Sequence, residues 1–570
     1  MQRPLLDYNR SDWTGEYDQR EIASQTGRLV DELLTELYAA RIVTSGDLAG
    51  EEFRLLYRFP VHVACNFFVE RLLRTVVSEK NNESGETVNI SADRYYYLNS
   101  FISLERYYYD QDINRQLLGR LAKALRGEAI ARTGSSAKAK LFNRWSVGEL
   151  FNPKKIIRRF LDRSELARIR RSKPRKLADK TEKMKYLLED REMMIFNYQL
   201  PSVTINLTLR FNMRDVFEKV FIAWINNILP NLNNSTRDSL AILFADFVDR
   251  ALPVAVVEGL PETLAYYSRL LIGWDIKQVH SATGYYRNDN FKIFALLAKR
   301  KKALLIGHQH GASNMISSRK QAANELAFLD YYFAWGKNDS DWLKGEVLLP
   351  RLKTISFGST YLTAIPKWNK PVINGQELTL FYPSGPLMDF MTDLEEISPE
   401  KNRVHRLQVL QYLKELKRLY PGLRVLYKPF PGTYANDPIK EVFADELKAG
   451  SVGIVSQKPH ELFAMVDLVL WDTVSTGFAE SVQAGVPTLV FHNEWECLQA
   501  TVRGKEIDRE LAAAGIIFYE ASAGLRSFKM IVDDNREFLN KGRLPIRKFQ
   551  AEVAWPVSRQ EFFEQAKAIL

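Results

Sequence analysis

Leu468-Val469-Leu470-Trp471-Asp472-Thr473-Val474-Ser475-Thr476-Gly477-Phe478-Ala479-Glu480, closed by Ala484-Gly485-Val486-Pro487-Thr488, is the stretch on which the fold turns. Its first residues form a short apolar run that reads as a buried strand. Ser475 and Thr476 then open a helix, and Gly-Val-Pro-Thr leads into a second apolar run, Thr488-Leu489-Val490-Phe491. A helix beginning directly after a strand presents free N–H groups, hydroxyls and its dipole to an anion such as a nucleotide phosphate. Glu480, about one turn deeper, is placed to accept hydrogen bonds from ribose hydroxyls. The plain alternative is Ser/Thr N-capping with a surface glutamate.

Outward from that stretch the alternation continues. Leu378 to Tyr382, Val425 to Tyr427, Gly453 to Val455 and Gly515 to Phe518 read as further strands, so residues 376–545 predict a Rossmann-like domain. In residues 191–365, Leu240 to Phe244, Ala303 to Ile306 and Tyr331 to Trp335 predict the strands of another. Ile365 to Gln376 reads as the linker. Two doubly wound α/β domains about a linker place a ligand cleft between the carboxyl ends of both sheets. Residues 1–150 carry apolar positions at helical spacing over Glu21 to Ala40, Phe53 to Val77 and Leu98 to Leu125. Their tyrosines (Tyr95 to Tyr97, Tyr107 to Tyr109) read as core. Residues 546–570 read as a C-terminal helix.

At 570 residues the chain exceeds a single core, and 46% hydrophobic with 26% charged residues excludes disorder. Met1 to Asp12 has no apolar core of a secretory signal, and no apolar stretch approaches the roughly 18 residues of a membrane span. Cys65 and Cys497 alone exclude a disulfide scaffold and a cysteine zinc site. A reducing cytoplasm is expected. Net charge is +10, and between Pro153 and Lys185 stand 14 Lys and Arg against 4 Asp and Glu, which is the whole of that excess. A chain neutral elsewhere is not patterned as a nucleic-acid binder. Residues 151–190 predict a basic amphipathic helical hairpin, inserted between the helical front and the first sheet. Ile156, Ile157, Phe160 and Leu161 alternate with Arg158, Arg159 and Arg163. Such a helix lies on an anionic membrane surface, through residues 153–185, or stays solvated on its own domain.

No Walker, Gly-x-Gly-x-x-Gly, His-Glu-x-x-His or Gly-x-Ser-x-Gly sequence is present. Asp110-Gln111-Asp112 reads as helix-end carboxylates rather than a metal site. Gly307-His308-Gln309-His310-Gly311 follows a strand and offers imidazole and backbone N–H groups to a phosphate or carboxylate, with Gln309, His310 and Gly311 as the ligand-facing residues. A buried histidine is the alternative, and the histidine spacing gives no metal set. Tyr427-Lys428-Pro429-Phe430-Pro431 ends another strand in a stiff loop, with the Lys428 cation for a phosphate. Ser384 and Gly385 end the strand at Leu378, where a nucleotide can approach the backbone.

Gln309-His310-Gly311, the Lys-Pro-x-Pro loop, and Ser-Thr-x-x-x-Glu followed by Gly-x-Pro-Thr resemble bacterial surface-polysaccharide transferases of the GT-B fold. More narrowly, the chain resembles transferases encoded with O-antigen, capsule and flagellin-glycan genes, a family related to β-Kdo and nonulosonic acid transferases. Phe53 to Pro60 with Glu70-Arg71, Asp112-Ile113-Asn114, Leu252-Pro253 with Glu258, Asn288 to Lys292 and Trp335-Gly336 extend the match over most of the chain. The sequence departs from the family at Ala312-Ser313-Asn314, where Gly-Gly-x-Tyr-Gly is usual, and at Phe430, where a histidine is common.

The resemblance implies a metal-independent glycosyltransferase without a cofactor. Its donor would be a nucleotide sugar, a CMP-linked Kdo-like or nonulosonic acid, and its acceptor a lipid-linked surface glycan at the inner face of the inner membrane. Ser475, Thr476 and Lys428 would hold the phosphate, Glu480 the ribose, and Ser384 with Gly385 the base. Asp289 would serve as nucleophile or base, His310 as donor to the leaving phosphate or sugar carboxylate, and Glu258 as a second carboxylate. A helix N-cap is the alternative for Asp289. Two other functions share the layout: a nucleotide-sugar 2-epimerase-like isomerase and a non-catalytic basic protein binding RNA or glycan.

Overall fold

The computed structural model describes residues 13–41, 48–81, 96–98, 111–130, 140–142, 176–179, 193–196, 205–312, 326–338, 351–369, 378–387, 394, 397–430, 437–493 and 500–569. Helices α1 (Gln19–Ala39), α2 (Gly50–Lys80) and α3 (Gln111–Leu125) form a helical front together with α4 (Leu207–Ile228) and α5 (Asn234–Ala251). Asp18 starts α1 by accepting from the N–H groups of Arg20 and Glu21 at 2.9 and 3.1 Å. Aromatic residues make the centre of this front. Phe67 stacks on Phe247 with centroids 5.1 Å apart, and Phe221 on Phe244 at 4.2 Å. Tyr96 and Tyr97 lie in a short strand, β1 (Tyr96–Leu98), paired parallel with β2 (Lys140–Phe142). Tyr95 and Tyr107 to Tyr109 are outside the described residues.

The first large sheet holds β3 (Lys176–Asp179), β4 (Met193–Phe196), β5 (Gln278–Ser281), β6 (Leu304–His308), β7 (Tyr331–Ala334) and β8 (Lys353–Ser356), in the spatial order β4-β3-β5-β6-β7-β8. Every adjacent pair is parallel. Two expectations are corrected here. Leu240 to Phe244 is not a strand but the middle of α5, which Asn233 caps by accepting from Thr236 N–H at 2.8 Å. Because α5 packs against both α2 and α4, it is apolar on several faces, and a five-residue apolar run within it has no visible helical period. Lys176–Asp179, expected within the basic helical hairpin, is an inner strand of this sheet. The cations from Arg158 to Arg175 lie outside the described residues.

The second sheet holds β9 (Thr379–Pro383), β10 (Arg424–Lys428), β11 (Val452–Ile454), β12 (Leu468–Trp471), β13 (Thr488–Phe491) and β14 (Ile517–Phe518). Its order is β11-β10-β9-β12-β13-β14, all parallel, which in its own chain order is 3-2-1-4-5-6. Strand order reverses between β9 and β12, so a crevice opens at their carboxyl ends. Helices α6 (Asp289–Arg300), α7 (Pro399–Leu419) and α8 (Thr476–Ala484) are the crossovers that matter for the site. Two Rossmann-like sheets make this the GT-B class of α/β fold.

The chain end belongs to both halves. Helix α9 (Ala521–Val553) covers β13 and β14 and breaks at Asp534, whose backbone is extended. The expected boundary at residue 545 falls inside α9, at Pro545. After Val553 the chain returns to the first sheet: Trp555 N–H donates to Trp335 O at 3.0 Å, and Ser359 pairs with Pro556. Helix α10 (Arg559–Ile569) then sets Phe562 against Ile306, Phe333 and Phe357. Among the described residues, no helix is long and apolar enough to cross a membrane.

Candidate functional site

The loops after β6, β9, β10 and β12 meet at the cleft. Gln309, buried, is held on three sides: its N–H donates to Phe333 O, its Nε2 to Gly311 O at 2.6 Å, and its Oε1 accepts from Trp335 N–H. The side chain therefore shapes the Gln309–Ala312 loop. From that loop the N–H of Ala312 reaches across to Thr476 Oγ1, 3.1 Å away on the second half. The two most informative motifs of the sequence are thus in direct contact. His310, between them, is half-buried.

Ser475 is the N-cap of α8, and its hydroxyl makes no capping bond. Gly477, in the first turn, has no room for a side chain, since a Cβ would lie 2.0 Å from the Trp471 ring. That contact presses the start of α8 onto the end of β12. Lys428 is half-buried at the end of β10, and its ammonium has no hydrogen bond or ion pair among the described residues. Among the described residues, the Ser475 and Lys428 side chains therefore have no partner for their polar groups. Thr476 and Glu480 are already engaged. Glu480 is buried, accepting from Tyr361 Oη at 2.7 Å, and it lies beside His460 and raises that imidazole's pKa above its ordinary value.

Beneath these loops lies a buried polar system. Asp472 accepts from Gly385 N–H at 2.9 Å, from Tyr382 Oη at 2.9 Å and from Arg406 Nη2 at 2.9 Å. Arg406 also donates to Gly385 O at 2.8 Å, to Tyr427 Oη at 2.9 Å and to Asp437 at 3.3 Å. Ser384 Oγ sits 3.1 Å from Tyr427 Oη and accepts from Phe430 N–H at 3.3 Å, while Ser384 N–H donates to Lys428 O. Burial drives the Tyr382 and Tyr427 hydroxyls well above their ordinary pKa, so both stay protonated donors. Ser384 and Gly385 thus tie loops together. Arg406 and Asp437 stand in no recognisable local pattern, whereas Asp472, Tyr382 and Tyr427 adjoin motifs of the sequence.

The expected catalytic carboxylates lie deeper. Asn288, not Asp289, caps α6, accepting from Phe291 N–H at 3.2 Å. Asp289 is 3% exposed on the first turn of α6, near Lys292, whose pKa burial lowers to about 8 against the opposing pull of Asp289. Glu258 is gripped by Arg210 through both oxygens, at 2.8 and 2.7 Å, and accepts from Asn206 N–H. This fork makes Glu258 a structural anchor of α4. His308, the buried alternative within the Gly-His-Gln-His-Gly stretch, faces His280 at 3.0 Å across β5 and β6. Burial and then His280 hold His308 well below its ordinary pKa. Among the described residues, no group of three or more His, Cys, Asp or Glu is arranged to hold a metal.

Residues 54–525 match the family model described as LIC12162 family transferase. No curated protein matches the chain. Solved structures resemble it remotely. S. aureus MnaA with UDP is 10% identical over 70% of this chain and 96% of its own, with a TM-score of 0.39. The Neisseria meningitidis UDP-GlcNAc 2-epimerase bound to UDP-GlcNAc is 11% identical over 69% of this chain and 98% of its own, with a TM-score of 0.38. At that distance neither bears on activity.

Proposed function

We propose, from the premise that this chain belongs to the LIC12162 family of transferases, that it is a glycosyltransferase using a nucleotide-sugar donor in the cleft between its sheets. One observation carries the proposal. The Gln309–Ala312 loop meets the N-terminus of α8 at the Ala312–Thr476 bond, beside the Ser475 hydroxyl, while Lys428 ends β10 in the same sheet, and neither of those two side chains holds a partner among the described residues. A helix N-terminus, a hydroxyl and a lysine together favour a phosphate group.

The resemblance to Kdo and nonulosonic acid transferases supports a CMP-linked donor, whose single phosphate such a set neutralises without a metal. The acceptor is then a glycan of the bacterial surface carried on lipid, and the part of the basic segment that precedes β3, residues 153–175, is what brings this peripheral cytoplasmic enzyme to the membrane. In the reaction the acceptor hydroxyl attacks the anomeric carbon and the bond to the phosphate breaks. His310, on the loop, donates to the departing phosphate or the sugar carboxylate. Asp289 takes the acceptor proton or first attacks as nucleophile. Its burial on the first turn of α6, near Lys292, supports a carboxylate held in a fixed place.

The test is release of free nucleotide from a panel of nucleotide sugars, with and without glycan acceptor. Acceptor-dependent CMP release that Asp289→Ala abolishes, with CMP binding kept, is the expected result. Turnover of a donor without any acceptor, giving an isomerised nucleotide sugar, would replace the transferase by an isomerase. Transfer that persists near wild type in Asp289→Ala removes that residue from the chemistry.

A further inference from the structure

Helix α7 is anchored to different halves of the molecule within its first two turns. In its first turn Glu400 accepts from Arg74 Nη1 of α2. Arg74 is fully buried and is also held by Glu70 Oε1, at 2.9 Å from Nε and 2.6 Å from Nη2. Arg71, equally buried, pairs with Glu70 at 2.9 Å. Two arginines and two carboxylates balance, so the group carries no net charge into the interior, and removing one member leaves another uncompensated. Two further bonds join the same places: Lys401 Nζ donates to Thr14 Oγ1 at 2.8 Å, and Gln19 Nε2 to Leu394 O.

Six residues beyond Glu400, about 9 Å along the helix axis, Arg406 holds Gly385 O at 2.8 Å and Asp472 at 2.9 Å. His405 Nε2 lies 3.1 Å from Asp472 O. Gly385 and Asp472 are the second and first residues of the loops that flank the strand-order reversal, and the Asp472 loop leads into Ser475. The first two turns of α7 therefore form a rigid link with the helical front at Glu400 and the cleft loops at Arg406.

We propose that Glu400 and Arg74 are positioning residues: their ion pair fixes α7 against the helical front and through it sets the geometry of the Ser384–Gly385 and Asp472–Thr476 loops. The helical front thereby helps order the nucleotide side of the cleft while contributing no group to it. That these loops serve a donor rests on the proposed function above; the mechanical link does not, and its test needs no ligand.

The test is amide hydrogen exchange on the full chain, comparing wild type with Glu400→Gln, Glu400→Asp and the double variant Arg74→Met with Glu400→Met. The double variant guards against misfolding, because an apolar pair of similar size is commonly tolerated where a lone buried charge is not. In Glu400→Gln the amides of Gly385 and of Asp472 to Thr476 should exchange at least about tenfold faster, with those of Leu468 to Leu470 in the adjoining strand unchanged. Glu400→Asp, which keeps the charge opposite Arg74, should restore most of the protection. Unchanged exchange at these loops in both Glu400→Gln and the double variant overturns the proposal. So does a rise spread equally over the second sheet, which reports general destabilisation.

Discussion

Arg210, in the helical front, and Arg406, beneath the cleft, are both buried and each faces two carboxylates, Asp249 with Glu258 and Asp437 with Asp472. Each also donates to backbone carbonyls, Arg210 to Asp249 O and Leu252 O, Arg406 to Gly385 O. The difference is what those acceptors belong to. Around Arg210 they sit at the end of α5 and just past it, so the arginine ties helix ends to α4. Around Arg406 they sit on loops that leave β9 and β12, with Tyr427 of β10 added. A buried ion pair contributes little net stability over an apolar replacement, yet breaking one is costly. The comparison teaches that such a group fixes geometry, and that only the second fixes geometry a ligand can read.

Substituting the two arginines breaks the comparison most strongly. Arg210→Met and Arg406→Met each leave buried carboxylates unpaired and should each cost about 3–5 kcal/mol in denaturant unfolding. They should differ in binding. Arg406→Met loses at least about tenfold in nucleotide affinity because its loops are released, whereas the folded fraction of Arg210→Met binds as wild type. Equal loss of affinity in both would mean that the two systems are not functionally distinct.

A smaller effect, dependent on pH, is shared by the two halves. His405 and His492, around the Asp472 loop, and His308 in the first sheet are all held below the ordinary histidine pKa of 6.5 by burial, His492 at about 4. The folded protein therefore keeps them neutral while the unfolded chain takes up protons near pH 6.5. Stability is fully present above about pH 6.5 and falls as the pH drops from there toward 4, with His492 contributing up to about 3 kcal/mol over that window. Unfolding free energies measured between about pH 7 and pH 5 should show that slope, reduced in His492→Gln. A flat profile would mean that these histidines are not buried neutral.

Much of the second sheet is legible in the sequence because β9, β10, β12 and β13 are short apolar runs buried on both faces. The first sheet is less so. Gln278-Val279-His280-Ser281 and Lys176-Leu177-Ala178-Asp179 lie inside the sheet yet carry polar residues at three and two of their four positions, so no apolar run announces them. The Leu240 to Phe244 run misleads for the opposite reason, being a helix buried on several sides. At the site, Ser475, Thr476, Lys428 and the Gln309–Gly311 loop are legible because hydroxyl, cationic and glycine residues follow strands. The roles of Gln309, Ser384 and Glu480 as holders of Trp335, Phe430 and Tyr361 are not, since each depends on a partner 26 to 119 residues away. The same distance hides Arg406.

Everything proposed for the cleft depends on its binding a nucleotide through Lys428 and the start of α8. That binding is tested most directly by calorimetric titration of CMP, UDP, GDP and TDP into the full chain, with and without EDTA, alongside Lys428→Ala and Ser475→Ala. One nucleotide should bind, EDTA should change nothing, and Lys428→Ala should weaken binding at least about tenfold, as loss of a charge-assisted phosphate contact does. Binding of none of the four nucleotides, or binding that Lys428→Ala and Ser475→Ala leave intact, would contradict it.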